Sequence, residues 1–119
     1  MSVAKTLRTI IAAATSNSAS ATTTGTAFDL TAKLGALLTA KITNGGTGPT
    51  IAASVKIYTS ADNSNFKLFQ TLTGDTVNSS VNEWAIDIPP TVMYVRADVT
   101  GNTGQTVTCE AFLQELTSV

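Results

Sequence analysis

Short runs in which apolar and polar residues alternate one for one, separated by clusters of turn-forming residues, constrain this chain more than any other feature. The clearest pair lies between Thr91 and Leu116. Val95, Ala97 and Val99 alternate with Tyr94, Arg96 and Asp98. Val107, Cys109, Ala111 and Leu113 alternate with Thr108, Glu110, Phe112 and Gln114. A period of two puts each apolar series on one face of a strand. Gly101-Asn102-Thr103-Gly104 between them carries residues that tolerate positive φ, so the two runs are expected to pair as a β-hairpin. Their apolar faces need a second layer to cover them, which the remainder of the chain has to supply.

The remainder reads the same way. Ala27–Leu30 is a short strand, and Thr31–Gly35 is one turn of helix or a loop. Ala36–Thr43 sets Leu38, Ala40 and Ile42 against Leu37, Thr39 and Lys41, and Asn44–Pro49 is a loop dense in turn formers. Ser54–Ser60 and Phe66–Leu72 are strands. Between them Asp62-Asn63-Ser64-Asn65 predicts an Asx turn; a calcium loop of the EF type would need Gly where Lys67 stands and Glu where Thr73 stands. Glu83–Ile88 places Trp84, Ile86 and Ile88 on one face, with Trp84 expected as a main core residue. Pro89-Pro90 ends that strand. Seven or eight short strands and no helical periodicity predict an all-β fold. The expected form is an antiparallel β-sandwich or a jelly-roll-like small barrel.

Residues 1–26 differ from the sandwich expected over 27–119. From Ala12 to Ala27 only Ala, Thr, Ser, Asn and Gly occur, so this stretch has no large side chain with which to make a core. It reads either as an extended arm that orders against a neighbour or as the first strand of the same sandwich. Leu7, Arg8, Ile10 and Ile11 are its candidate contacts. As an arm, residues 1–20 are dispensable for folding but needed for assembly. The apolar run Ile10–Ala14 is shorter than a secretory h-region.

The 119 residues suffice for one domain, and the formal charge is −1. Charged residues make up 13%, about half the usual share, which leaves little repulsion between copies and suits life inside an assembly. The seven Lys and Arg are scattered among eight acids, so nucleic acid is not an expected partner. No apolar run reaches the ~18 residues of a membrane helix, so no membrane is expected either. The single Cys109 lies in the apolar register and should be a buried, inert thiol. With no His, triad catalysis and His-based zinc sites are ruled out, and no cofactor motif is present: Asn44–Pro49 lacks the Gly-Lys-Ser/Thr of a phosphate loop. Asp98 and Glu110 are outward acids near Arg96, better read as a surface ion cluster than as a hydrolytic pair. Catalytic, cofactor and metal residues are therefore expected to be none, and the chain is expected not to be an enzyme. Tyr58, Tyr94 and Phe112 stand on the polar register, where they suit a subunit contact, ordinary packing on a second inner face, or a sugar-stacking platform.

Four stretches carry a resemblance: Lys41–Pro49, Ser60–Phe66, Met93–Arg96 and Gly101–Gln105. Across roughly residues 27–117 they resemble the small β-sandwich structural proteins of tailed bacteriophage virions, most of all head decoration (cement) proteins. That resemblance implies a non-enzymatic virion component made in the host bacterial cytoplasm. It would be a homo-oligomer, a trimer for preference, clamping the major capsid protein or other virion proteins. A tail or baseplate part and a carbohydrate- or receptor-binding module are the competing expectations.

Overall fold

The computed structural model describes residues 3–118, and these form nine strands: β1 (Ala4–Asn17), β2 (Thr22–Thr24), β3 (Phe28–Asp29), β4 (Ala36–Asn44), β5 (Ser54–Ser60), β6 (Lys67–Thr73), β7 (Val81–Ile88), β8 (Tyr94–Thr100) and β9 (Val107–Ser118). All pair antiparallel. Sheet A runs β1-β9-β4-β7; sheet B runs β2-β8-β5-β6, with β3 also paired to β8. The protein is a β-sandwich, as the alternation predicted. Its inner faces contribute Leu38, Ala40 and Ile42 from β4, Val55 and Ile57 from β5, Val95, Ala97 and Val99 from β8, and Val107, Cys109, Ala111 and Leu113 from β9. The thinnest extent, 18 Å between Cα positions, suits two sheets packed about 10 Å apart.

The expected hairpin is not one. β8 pairs with β5 in sheet B, whereas β9 lies between β1 and β4 in sheet A. The two apolar series belong to opposite layers, and the loop crosses from one layer to the other. Gly101 and Gly104 do take positive φ, 98° and 82°. Asn102, however, turns inward and is fully buried. Alternation fixes that each strand has one buried face, and says nothing about which sheet it joins.

The amino-terminal segment belongs to the sandwich. β1 pairs with β9 along almost its whole length, and β2 pairs with β8. Bulges interrupt β1 between Thr9 and Ile11 and again between Ile11 and Thr15, with Ala14 at φ 58°. The first bulge turns the consecutive Ile10 and Ile11 both inward, 3% and 4% exposed. Stretches poor in large side chains can thus join the core where the opposite wall comes close. Gly25 is buried at such a place: a Cβ there would overlap the carbonyl oxygen of Ala97 and crowd the side chain of Ile10.

Trp84 departs from expectation. It does point inward from β7, but β7 is an edge strand, and the ring is half-buried against the core rather than at its centre. Thr31–Gly35 is a loop. Leu34 there donates its N–H to the Leu116 carbonyl (2.9 Å), prolonging the run of β4 beside β9.

Candidate interaction surfaces

The outer face of sheet B carries Tyr58, Tyr94 and Arg96. Tyr58 and Arg96 are directly opposed on β5 and β8. Phe66, just before β6, closes over the other side. The guanidinium carbon lies 5.0 Å from the Tyr58 ring centre and 4.5 Å from that of Phe66. Arg96 also donates through Nη2 to Asp98 Oδ2 (3.2 Å), while Asp98 Oδ1 accepts from the Gly25 backbone N–H (3.2 Å). The cation is thus held between two rings and a buried carboxylate, an arrangement in which each ring contact contributes about 0.5–1 kcal/mol. Tyr58 offers one face of its ring to Arg96, and that face is closed to a sugar. Tyr94 lies across from Asp29 and from Ser60 and is half-buried.

Phe112 is on the other side of the molecule, on the outer face of sheet A between Thr9 and Thr39. Leu7 shares that face. Tyr58, Tyr94 and Phe112 therefore do not converge. The two acids are separated as well. Asp98 is buried under Arg96 on sheet B, and Glu110 pairs with Lys41 (3.4 Å) on sheet A. They form no hydrolytic pair.

The amino-terminal candidates divide. Ile10 and Ile11 are spent on the chain's own core. Arg8 donates through Nε to Glu115 Oε1 (3.0 Å), and Glu115 is 1% exposed, so Arg8 neutralises a buried carboxylate of β9. Leu7 alone stands free, 63% exposed. Cys109 is buried, its Sγ–H directed at the Thr15 carbonyl (3.4 Å), and burial raises the thiol to about 11. It is a packing residue.

Two depressions with largely apolar linings lie elsewhere on the surface. One, of about 260 Å³, opens at the end of sheet A among Lys5, Leu34, Leu37, Asp87, Pro90 and Leu116. The other, of about 500 Å³, lies beside β6 among Phe69, Pro89, Val92, Met93 and Lys67, against the Asp62 turn. Asp62 accepts from the backbone N–H groups of Ser64 and Asn65 through Oδ1 (2.9 and 2.8 Å), the expected Asx turn, and these bonds hold its carboxyl well below the usual range. Among the described residues no three His, Cys, Asp or Glu groups stand together as metal ligands would.

Leu34 and Leu37 escaped the sequence reading. A signal existed for Leu37, a leucine on the register otherwise held by Thr39 and Lys41. Nothing marked the buried pair Asn17 and Asn102. Asn17 Nδ2 donates to Asn102 Oδ1 (2.5 Å), and Asn102 Nδ2 reaches the carbonyls of Asn17 (3.1 Å) and Gln105 (2.9 Å).

No known protein-family model and no curated protein matches the chain. Its sandwich is similar to that of the SPBc2 prophage-derived protein YomS, at 21% identity over 96% of both chains with a TM-score of 0.53. It is similar to a part of the infectious bursal disease virus VP2 subviral particle, at 10% identity and TM-score 0.58, covering 95% of this chain but only 32% of that one. The Yersinia pseudotuberculosis-derived mitogen is comparable, at 8% identity and TM-score 0.52 over 97% of this chain and 86% of that one. At these identities the likeness establishes a shared two-layered β fold.

Proposed function

We propose that this chain is a non-enzymatic structural component of a bacteriophage particle, a head decoration (cement) protein that binds the capsid through subunit contacts. The observation that carries this reading is the surface. Large apolar side chains stand in solvent on both layers: Leu7 and Leu37 on sheet A, and Leu68 and Phe69 on β6 of sheet B. A nearly neutral chain with apolar exposures on several sides suits a position where neighbours cover it. Sharing a fold end to end with a prophage-derived protein, and with part of a viral particle protein, is in keeping with this role. The mechanism is adhesion, in which many modest contacts are multiplied by the symmetry of the shell.

The test is to purify particles of the phage that encodes the chain and follow the protein through them. It should co-purify in a fixed ratio to the major capsid protein and label the head surface. Label on the tail would move it to a tail or baseplate role. Recovery only in the soluble lysate would defeat the reading. Saturable sugar binding on a glycan array, abolished by Tyr94→Ala, would replace it with a carbohydrate- or receptor-binding function.

A further inference from the structure

We propose that the outer face of sheet A, around Leu7 and Leu37, is a two-fold contact between two copies of this chain. Leu7, Gln114, Leu37 and Asp87 stand in one row across β1, β9, β4 and β7. Leu7 is 63% exposed, Leu37 36%, and Leu34 at the adjoining rim 46%. Leu34, Leu37, Leu116 and Pro90 line one depression, and Leu7 stands outside it on the same face. Leu34 and Leu37 with Leu116 and Pro90 make one apolar patch around the depression, unlike single apolar residues scattered over a protein, and Leu7 extends the face on the far side of Gln114.

The occupant follows from the charges. Lys5 lies on β1 at one margin of the depression, and Asp87 lies on β7 at the other. Neither takes part in an ion pair among the described residues. The patch therefore has an apolar centre with a positive edge and a negative edge on opposite sides. Such a pattern is its own complement. A two-fold axis running along the strands between β9 and β4 lays one face on the other. Lys5 of each copy then reaches the edge that holds Asp87 of the second copy, and the leucines close together between them. A partner of uniform charge would satisfy one edge and oppose the other. A formal charge of −1 adds almost no repulsion at a distance. This contact stands on the face alone and does not depend on the particle assignment. Its symmetry also differs from the trimer that the resemblance implies.

Sedimentation of the full chain over a wide concentration range tests it, with circular dichroism confirming that each variant is folded. The expected mass is that of two chains. Lys5→Glu and Asp87→Lys should each weaken association roughly tenfold, because each places like charges at both edges. Mixing the two variants in equal amounts should restore it, since the mixed pair regains an opposite charge at each edge. Leu37→Glu should leave a folded single chain. A one-chain mass at every concentration, a three-chain mass, or a two-chain mass indifferent to the charge reversals would overturn the inference.

Discussion

Two margins of the sandwich are held by opposite means. Along β1 and β2 the side chains are mostly small, yet the segment is locked in. Ile10 and Ile11 enter the core, Gly25 lies against Ala97, and Asn17 and Asn102 bond to each other and to nearby carbonyls. β6 carries three large apolar side chains, yet Leu68 and Phe69 are 56% and 41% exposed, and only Leu72 is buried. This strand is secured at its ends, by the Asp62 turn before it and by Asp75 after it. Asp75 accepts from Ser80 Oγ (2.8 Å), Asn82 Nδ2 (3.1 Å) and Asn44 Nδ2 (3.0 Å). The contrast teaches that side-chain size does not decide which segment is integral. Position over the opposite layer and satisfaction of buried polar groups decide it.

The harshest way to break the contrast is to remove one side of it. Deleting residues 1–20 takes away β1, both buried isoleucines and the Asn17 amide. The two isoleucines alone represent about 3–6 kcal/mol of burial, a large part of the 5–15 kcal/mol that holds a typical domain. The truncated chain should be unfolded or aggregated by circular dichroism and amide dispersion. A folded truncation would show that the segment is an arm after all. Next in size is Gly25→Val, which forces a side chain into the Ala97 carbonyl and should cost about 3 kcal/mol or more in urea unfolding. Asn102→Ala follows at about 2–3 kcal/mol. It takes one acceptor from the Asn17 amide, which keeps the Ala21 carbonyl, and removes the side-chain donor shared by the buried carbonyls of Asn17 and Gln105.

What was legible in the sequence was local. The β4 alternation gave its inner face correctly because one strand's pleat decides it. The Asp62 turn could be read because the carboxylate bonds residues two and three positions on. Cys109 could be placed because it shares the register of Ala111 and Leu113. What was not legible depends on partners distant in the chain. Asn17 and Asn102 are 85 residues apart. The same glycines at positive φ serve a hairpin or a crossing between layers, so the separation of β8 from β9 left no mark. Trp84 was overestimated because its strand turned out to have a neighbour on one side only. Of the proposed contact face, Leu7 and Phe112 were already candidate contacts in the sequence. Leu34 and Lys5 needed the sheet order to bring them beside Leu37.

Acid should sharpen the contrast with a smaller effect. The carboxyls of Asp62 and Asp75 are both held below the usual range, the first mainly by backbone N–H groups and the second mainly by Ser80 and Asn82. A carboxyl lowered on folding adds stability that is fully present above its unfolded value of about 3.9 and is lost as pH falls through the folded value. Lowering the pH below about 4 should therefore speed amide exchange in 61–80, after correction for the intrinsic rate. Asp75→Asn should remove the Asp75 share of this acid dependence from 74–80. Equal acceleration across the whole molecule would mean that these carboxylates do not secure the strand between them.

The smallest expected effects lie within β6 itself. Leu68→Thr should change unfolding free energy by no more than about 0.5 kcal/mol and Phe69→Ser by about 1 kcal/mol, since Leu68 is 56% exposed and Phe69 41%. Leu72→Ala on the same strand should cost about 2–4 kcal/mol, because it empties a filled position opposite Val55. Three substitutions on one strand thus divide by burial alone, with backbone pairing held constant. If Phe69→Ser proved as costly as Leu72→Ala, and the cost rose with protein concentration, the depression beside β6 would be covered in solution by another copy. The looser margin would then be a second interface, complete only within the assembly.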